Sequence, residues 1–238
     1  MKTIIIGDLH GIGVWQLILQ KESPQKVIFL GDYFDSPDIK IQQQISNFHQ
    51  LIKYKESGQA EVILLMGNHD YHYLPFIETD DISGYNHEHE EELTQIMADH
   101  LHHFSIIHTF DRYLFTHAGV SDDFLIKAGI EYHKDTLSDE VTRVFNEQPQ
   151  LFDYDEDCLD ESGDDKEQSC IWIRPRSLMN NSSKIKSDYI QFAGHTMQKR
   201  VDHKGIATGG RFYFLDTLTT SGQYGVLEGD QLTFPSFK

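Results

Sequence analysis

Cysteine is nearly absent: the 238 residues hold two, Cys158 and Cys170. A disulfide framework needs more and a zinc knuckle needs closer spacing, so both are expected to be free thiols. Positive charge is also scarce, with 20 Lys and Arg against 38 Asp and Glu and a formal net charge of -18. That balance argues against nonspecific binding to nucleic acid or anionic membrane, although a bound cation pair can reverse the field locally. No run approaches the roughly 20 apolar residues of a membrane span. The N-terminus enters the run "IIIGD" with no cleavable signal pattern, so a cytoplasmic protein is expected. There is neither an internal repeat nor a long linker. Hydrophobic residues make up 39% and aromatics 12%, enough for a real core, and the length suits one domain over 1–238.

What is present is a rhythm. "TIIIGD" (3–8), "KVIFLGD" (26–32) and "EVILLMGN" (61–68) read as buried strands, separated by helical patterns at 13–22 and 39–57. Short apolar runs alternating with helices imply βαβ units and a parallel sheet. The segment 78–103 is rich in Glu, Asp and His and partly helical in pattern. "FSIIHTF" (104–110) and "RYLFTHAG" (112–119) suggest a hairpin, and helical patterns follow near 121–129 and 137–148. Residues 153–168 carry nine acids in sixteen and are expected as a solvated surface loop. The C-terminal third, with "YIQFAGH", "RFYFLDT" and "QYGVLEG", has the Gly-punctuated strands of a second sheet.

Each of the first three strands ends in Gly followed by Asp or Asn. Open α/β sheets bind ligands at the carboxyl ends of their strands, so these turns should cluster. They supply Asp8 and His10 in "GDLHG", Asp32 and Asp35 in "GDYFDS", and Asn68, His69 and Asp70 in "GNHD". His117 in "THAG" and His195 in "AGHT" also follow apolar strands. Carboxylates, imidazoles and one amide without thiolate suit divalent manganese, iron or zinc. One Gly-Asp turn is usually only a turn, and one His at a strand end is usually hydrogen-bonded structure; five such pieces in order make coincidence improbable.

The series "GDLHG", "GDYFD", "GNHD", "HAG", "GHT" resembles the calcineurin-like metallophosphoesterase superfamily, nearest its bacterial and phage serine/threonine-phosphatase branch and the symmetrical diadenosine-tetraphosphate hydrolases. The resemblance implies an α/β fold, a four-layer α/β/β/α sandwich of two mixed sheets flanked by helices. It implies two divalent metal ions, manganese first and iron or zinc as alternatives. Asp8 and His10 would bind the first ion, Asp32 would bridge, and Asn68, His117 and His195 would complete the second. His69 would act as an acid, oriented by Asp35, while Asp70 would fix the turn. The substrate implied is a phosphorylated one, a phosphoprotein or small phosphoester. The alternatives are a dinucleotide polyphosphate hydrolase and a catalytically silent metal-bearing scaffold, the latter disfavoured by the intact His69 and Asp35.

The pattern departs from that branch in places. Its "GDYVDRG" carries a phosphate-gripping Arg, and here Ser36 follows Asp35. "IWIRPRS" (171–177) offers Arg174 as a replacement clamp, because a guanidinium grips phosphate oxygens bidentately. Arg174 as a tie for its own loop is the competing reading, with Arg176 the next position. "GHTM" ends in Met197, a poor ligand for a hard cation. His87, His89, His100, His102 and His103 are expected on a solvated helix face, and His72 or Tyr73 could line the cleft.

Overall fold

A computed structural model describes residues 1–77, 84–155, 165–201 and 211–238. The chain begins β1 (Lys2–Ile6), α1 (Trp15–Glu22), β2 (Lys26–Phe29), α2 (Ile41–Glu56), β3 (Glu61–Leu65), α3 (Asn68–Tyr71) and α4 (Glu90–His100). It continues β4 (Phe104–Ser105), β5 (His108–Phe110), β6 (Tyr113–Phe115), α5 (Asp122–Lys127), α6 (Leu137–Glu147), α7 (Pro175–Asn180) and α8 (Ile185–Asp188). Four strands follow: β7 (Ile190–Ala193), β8 (Phe212–Phe214), β9 (Gly225–Glu228) and β10 (Gln231–Thr233). In α2, Gln44, Ile45, Phe48, Leu51 and Ile52 recur at helical spacing and form one buried stripe. In α5 the Ser121 side chain caps the first turn by accepting the Phe124 N–H.

Six strands make the first sheet in the order β10-β9-β1-β2-β3-β4, and four make the second in the order β5-β6-β7-β8. β1 through β4 run parallel, with Ile4 opposite Val27 and Ile28 opposite Ile63. β9 lies antiparallel to β1, and β5 antiparallel to β6, so both sheets are mixed. The period of two in a strand divides the apolar runs between two cores. Ile5, Ile28 and Leu65 meet Phe115, Phe192 and Leu215 between the sheets. Ile4, Ile6, Val27, Phe29 and Leu64 face the other way, against Ile18, Phe48 and Leu51 of the helices. Leu178 of α7 packs on Ala193, Phe212 and Phe214 at the second sheet. This is the expected α/β sandwich, two mixed sheets flanked by helices. Among the described residues, no helix is long and apolar enough to cross a membrane.

Three local expectations change. "FSIIHTF" is not one hairpin strand: Phe104 and Ser105 finish the first sheet, buried Ile106 and Ile107 cross over, and His108 opens the second. "QYGVLEG" does not join the second sheet but returns to β1, where Gly225 lies opposite Ile5. Strand periodicity reveals a buried face but not which partner covers it. In the acidic segment, residues 156–164, Cys158 among them, lie outside the described residues, as do 78–83. At its far end the expected solvation fails, because Asp165 and Gln168 are buried. The Gln168 amide there bonds both the N–H and the carbonyl of Asp155, closing the base of the loop. Cys170 is a buried free thiol.

Candidate active site

The carboxyl ends of β1, β2 and β3 face those of β6, β7 and β8, and the polar turns meet between them. Close approach dictates the glycines. Gly31 has φ +114, and a Cβ there would lie 2.7 Å from the Gly67 backbone and 2.8 Å from His117 Nδ1. A Cβ on Gly194 would run into the Asp8 carboxylate. Side chains are forced into similar backbone: among the described residues six non-glycines have positive φ, and four are His10 (41), Asp32 (53), Asp35 (63) and His195 (63). Such conformations cost of order 1–3 kcal/mol each and cluster at functional sites.

Hydrogen bonding fixes which atoms of the histidines are free to act as donors to a cation. His117 Nδ1 lies 2.8 Å from the Leu30 carbonyl and His10 Nδ1 lies 2.6 Å from the Phe34 carbonyl. A carbonyl only accepts, so both Nδ1 atoms carry hydrogen and both Nε2 atoms present lone pairs while the rings are neutral. Burial favours the neutral ring at His117. Its Nε2 lies 2.8 Å from Asn68 Oδ1 and 3.4 Å from Asp32 Oδ2. His195 Nδ1 comes within 2.9 Å of the same Asn68 oxygen. His10 Nε2 approaches the same Asp32 oxygen, at 3.6 Å from Oδ2. Donor atoms of Asp8, His10 and Asp32 all lie within 4.8 Å of one another. At His117 Nε2 and Asn68 Oδ1 a lone pair meets a lone pair, an arrangement that suits a cation between them. The residues therefore suit two divalent ions with Asp32 between them, and their oxygen and nitrogen donors match manganese, iron or zinc.

Beside this cluster, the His69 ring meets His10 edge-on at 5.2 Å, and its Nδ1 lies 3.0 Å from Asp35 Oδ2. Burial disfavours an imidazolium here, but Asp32 and Asp35 outweigh it and raise His69 to about 9. Asp70 accepts the N–H groups of Asp32, Tyr33 and Gly67 at 2.8, 2.8 and 2.9 Å, pinning two of the turns together. Ser36 serves its own turn, accepting from the N–H groups of Asp38 and Ile39.

Arg174 is exposed at the start of α7, and its Nη1 reaches Thr196 Oγ1 at 3.3 Å. Its charge acts on the neighbouring His195, which burial already holds well below the ordinary imidazole range. Trp172 stands edge-on to His195 at 5.7 Å. Arg176 and Met197 are exposed. His72 is buried rather than lining a cleft, with both ring nitrogens unpartnered among the described residues. Of the His-rich stretch, His87 and His102 are exposed as expected. His100 and His103 are not on a solvated face: His100 is half-buried against Phe48 at 5.7 Å and stacks on His103 at 5.8 Å.

Two residues were not anticipated in these roles. Tyr73, fully buried, donates its hydroxyl to Asp35 Oδ1 at 2.7 Å and accepts the Asn86 N–H at 2.8 Å. Asp216, two residues past β8, is buried, and its backbone packs against Gly7, the residue before Asp8. Its only sequence signal is an Asp ending the apolar run "RFYFLD".

Residues 1–202 match the family model described as calcineurin-like phosphoesterase. Among solved structures, the chain is similar to a cold-active protein tyrosine phosphatase, with 17% identity, TM-score 0.66, and coverage of 98% of this chain and 75% of that one. It also aligns with a metallophosphoesterase from Sphaerobacter thermophilus at 14% identity and TM-score 0.47, covering 100% of this chain and 89% of that one. A third match is Yfce, a phosphoesterase from E. coli, at 14% identity and TM-score 0.44, covering 99% and 93%. No curated protein matches the chain.

Proposed function

The chain belongs to the calcineurin-like phosphoesterase family, and from that premise we propose that it hydrolyses phosphomonoesters in the manner of a serine/threonine protein phosphatase. It is a metal-dependent phosphoric ester hydrolase acting on phosphorylated substrate. Two divalent ions, when bound, polarise phosphoryl oxygens and activate water at neutral pH. Asp8, His10 and Asp32 would hold one ion, and Asp32 with Asn68, His117 and His195 the other, with manganese the proposed metal.

The observation that carries the substrate class is the His69–Asp35 pair. Serine and threonine leave as alkoxides, which need a proton, whereas better leaving groups need little help. His69 donates its Nδ1 hydrogen to Asp35 Oδ2, so Nε2 is left to protonate the leaving oxygen. In the metal-free chain Asp32 and Asp35 raise His69 to about 9 against the effect of burial; with cations on Asp32, Asp35 is the group that continues to favour the acid form. A positioned acid of this kind is worth about 10²–10⁴ in rate. Arg174 supplies the phosphate grip. No carboxylate pairs with it among the described residues, and one 3.3 Å bond to a hydroxyl is a weak tie for a loop.

The test is a panel with manganese: phosphoserine, phosphothreonine and phosphotyrosine peptides, p-nitrophenyl phosphate, its bis-ester and diadenosine tetraphosphate. The proposal expects phosphoserine and phosphothreonine peptides to be cleaved, with His69→Asn slowing them far more than p-nitrophenyl phosphate. Preference for diadenosine tetraphosphate would transfer the chain to dinucleotide polyphosphates. Equal losses on alkyl and aryl esters would remove His69 from the acid's role.

A further inference from the structure

Two side chains hold the His69 ring, Asp35 at Nδ1 and His10 edge-on. Backbone closes a third side. Gly84 has φ +92, and a Cβ built on it would lie 3.1 Å from His69 Cε1, 3.7 Å from His69 Nδ1 and 4.0 Å from Asp35 Cβ. The chain at 84 therefore passes close against the Cε1 edge of the ring, beside its contact with Asp35. Nε2 is not among the three atoms nearest that Cβ. Glycine enters this left-handed backbone region without the steric penalty of other residues. Gly84 is exposed, so packing of its own does not hold it there.

Tyr73 supplies the anchor. The Tyr85 ring stacks on the fully buried Tyr73 ring at 4.9 Å and 14°. The Asn86 N–H donates to the Tyr73 hydroxyl at 2.8 Å, and Asn86 Oδ1 accepts the His89 N–H at 3.1 Å, capping the short turn of 87–89. The same hydroxyl donates to Asp35 Oδ1 at 2.7 Å. One buried side chain thus fixes both the carboxylate that orients His69 and the backbone laid against its ring. The need for that backbone is geometric. A hydrogen bond at Nδ1 alone leaves the ring free to tilt about the line from Nδ1 to Asp35 Oδ2, swinging Nε2 away from a leaving oxygen. A contact at Cε1 blocks that tilt in one direction.

We propose that Gly84 is a positioning residue for the acid: anchored to Tyr73 through Tyr85 and Asn86, it limits the tilt of His69 and keeps Nε2 aimed at the leaving oxygen. This rests on the reading of His69 as the acid given above. It accounts for a glycine where a side chain would press on His69, and for one hydroxyl serving both Asp35 and Asn86.

Gly84→Ala in the manganese-loaded chain tests this, with phosphoserine peptide and p-nitrophenyl phosphate as substrates. The added methyl group must push the ring or the backbone by a few tenths of an ångström. Turnover of the peptide should fall about 10-fold, short of the roughly 10²-fold that a 1 Å misplacement costs. Turnover of p-nitrophenyl phosphate should barely move, because its leaving group needs little protonation, and manganese content should stay the same. In a His69→Asn background the same change should slow the peptide no further, since two residues acting through one ring are not additive. Equal losses on both substrates, no loss on either, or a further loss without His69 would make Gly84 structural and overturn the proposal. Should Gly84→Ala fail to fold, Tyr85→Ala decides, because it loosens the anchor without straining residue 84. A loss confined to the peptide supports the proposal; an equal loss or none overturns it. If wild type leaves the peptide uncut, or His69→Asn alone slows both substrates alike, the reading of His69 as the acid falls and the proposal with it. If His69→Asn is selective and Gly84→Ala is not, only the proposal falls.

Discussion

Tyr73→Phe removes the two hydrogen bonds of one buried hydroxyl in the wall of the site. The hydroxyl donates to Asp35 Oδ1 at 2.7 Å, and the other Asp35 oxygen is 3.0 Å from His69 Nδ1. The Asp35 side chain is 1% exposed, so water cannot readily replace the lost donor. Phenylalanine keeps the stacking on Tyr85, whose ring lies 4.9 Å away. The change therefore removes the donor to a buried carboxylate and the acceptor of the Asn86 N–H, together at a cost of about 2–4 kcal/mol. In a chain of 238 residues, 2 kcal/mol lowers the thermal midpoint by roughly 4–8 °C. Asp35 would then be held by fewer bonds and would orient His69 less well. Turnover of phosphoserine peptide should drop by a factor between one and that of His69→Asn, while p-nitrophenyl phosphate turnover barely moves. Steady-state kinetics on the two substrates, beside a thermal melt, reads both effects. A lowered midpoint with unchanged kinetics on both substrates would make Tyr73 a packing residue and break the chain from Tyr73 through Asp35 to His69.

Asp32→Asn should be among the most damaging changes, since the residue stands between both donor groups; elemental analysis showing full metal content at full rate would remove it as the bridge. Arg174→Ala should lower kcat/KM by roughly 10–150-fold, the equivalent of a charged hydrogen bond of about 1.5–3 kcal/mol. Arg174→Lys should recover little of this, because the ammonium lacks the fork; an unfolded Arg174→Ala would instead identify a structural tie. His72 is lowered to about 4, first by burial and then by His69. The folded chain therefore resists protonation that the unfolded chain accepts below about 6.5. This contribution is fully present above that pH and is lost as pH falls toward 4, amounting to roughly 3 kcal/mol. In chelator, wild type should lose stability over this window faster than His72→Phe, and parallel urea melts at pH 7 and pH 4.5 would refute it.

The site was legible in the sequence to the extent that its chemistry is local. "GDLHG", "GDYFD" and "GNHD" each put a Gly and its polar neighbours directly after an apolar run, and parallel strands carry such ends to one edge. The structure brings Asp8, His10, Asp32, Asn68, His117 and His195 together, with His69 and Asp35 alongside. What escaped is non-local. Tyr73 reaches Asp35 across 38 positions, and nothing in "HYLP" marks its hydroxyl as a support. Asp216 closes an apolar run without the Gly–Asp signature of the other turns. The fold divides in the same way: the parallel β1, β2 and β3 could be read from their rhythm, but the return of Gly225–Glu228 to β1 depends on a contact more than two hundred residues apart.

The same contrast explains where strain sits. A chain whose local preferences all agreed would not place His10, Asp32, Asp35 and His195 in left-handed backbone, nor bury Asp8 where burial, Asp216 and Asp32 all raise its carboxyl above the usual range. Each costs stability in the metal-free chain. The cost is tolerable because the elements delivering these turns are independently fixed: Ile5, Ile28 and Leu65 against Phe115 and Phe192 on one side, Phe29 and Phe48 on the other. Binding of divalent ions would remove the electrostatic part of that cost while leaving the backbone part in place. Stabilisation by metal should therefore exceed the contribution of the donor atoms alone. Removing a carboxylate that repels in the empty state narrows the gap between metal-free and metal-loaded stability from both ends, whereas removing a core side chain lowers both together.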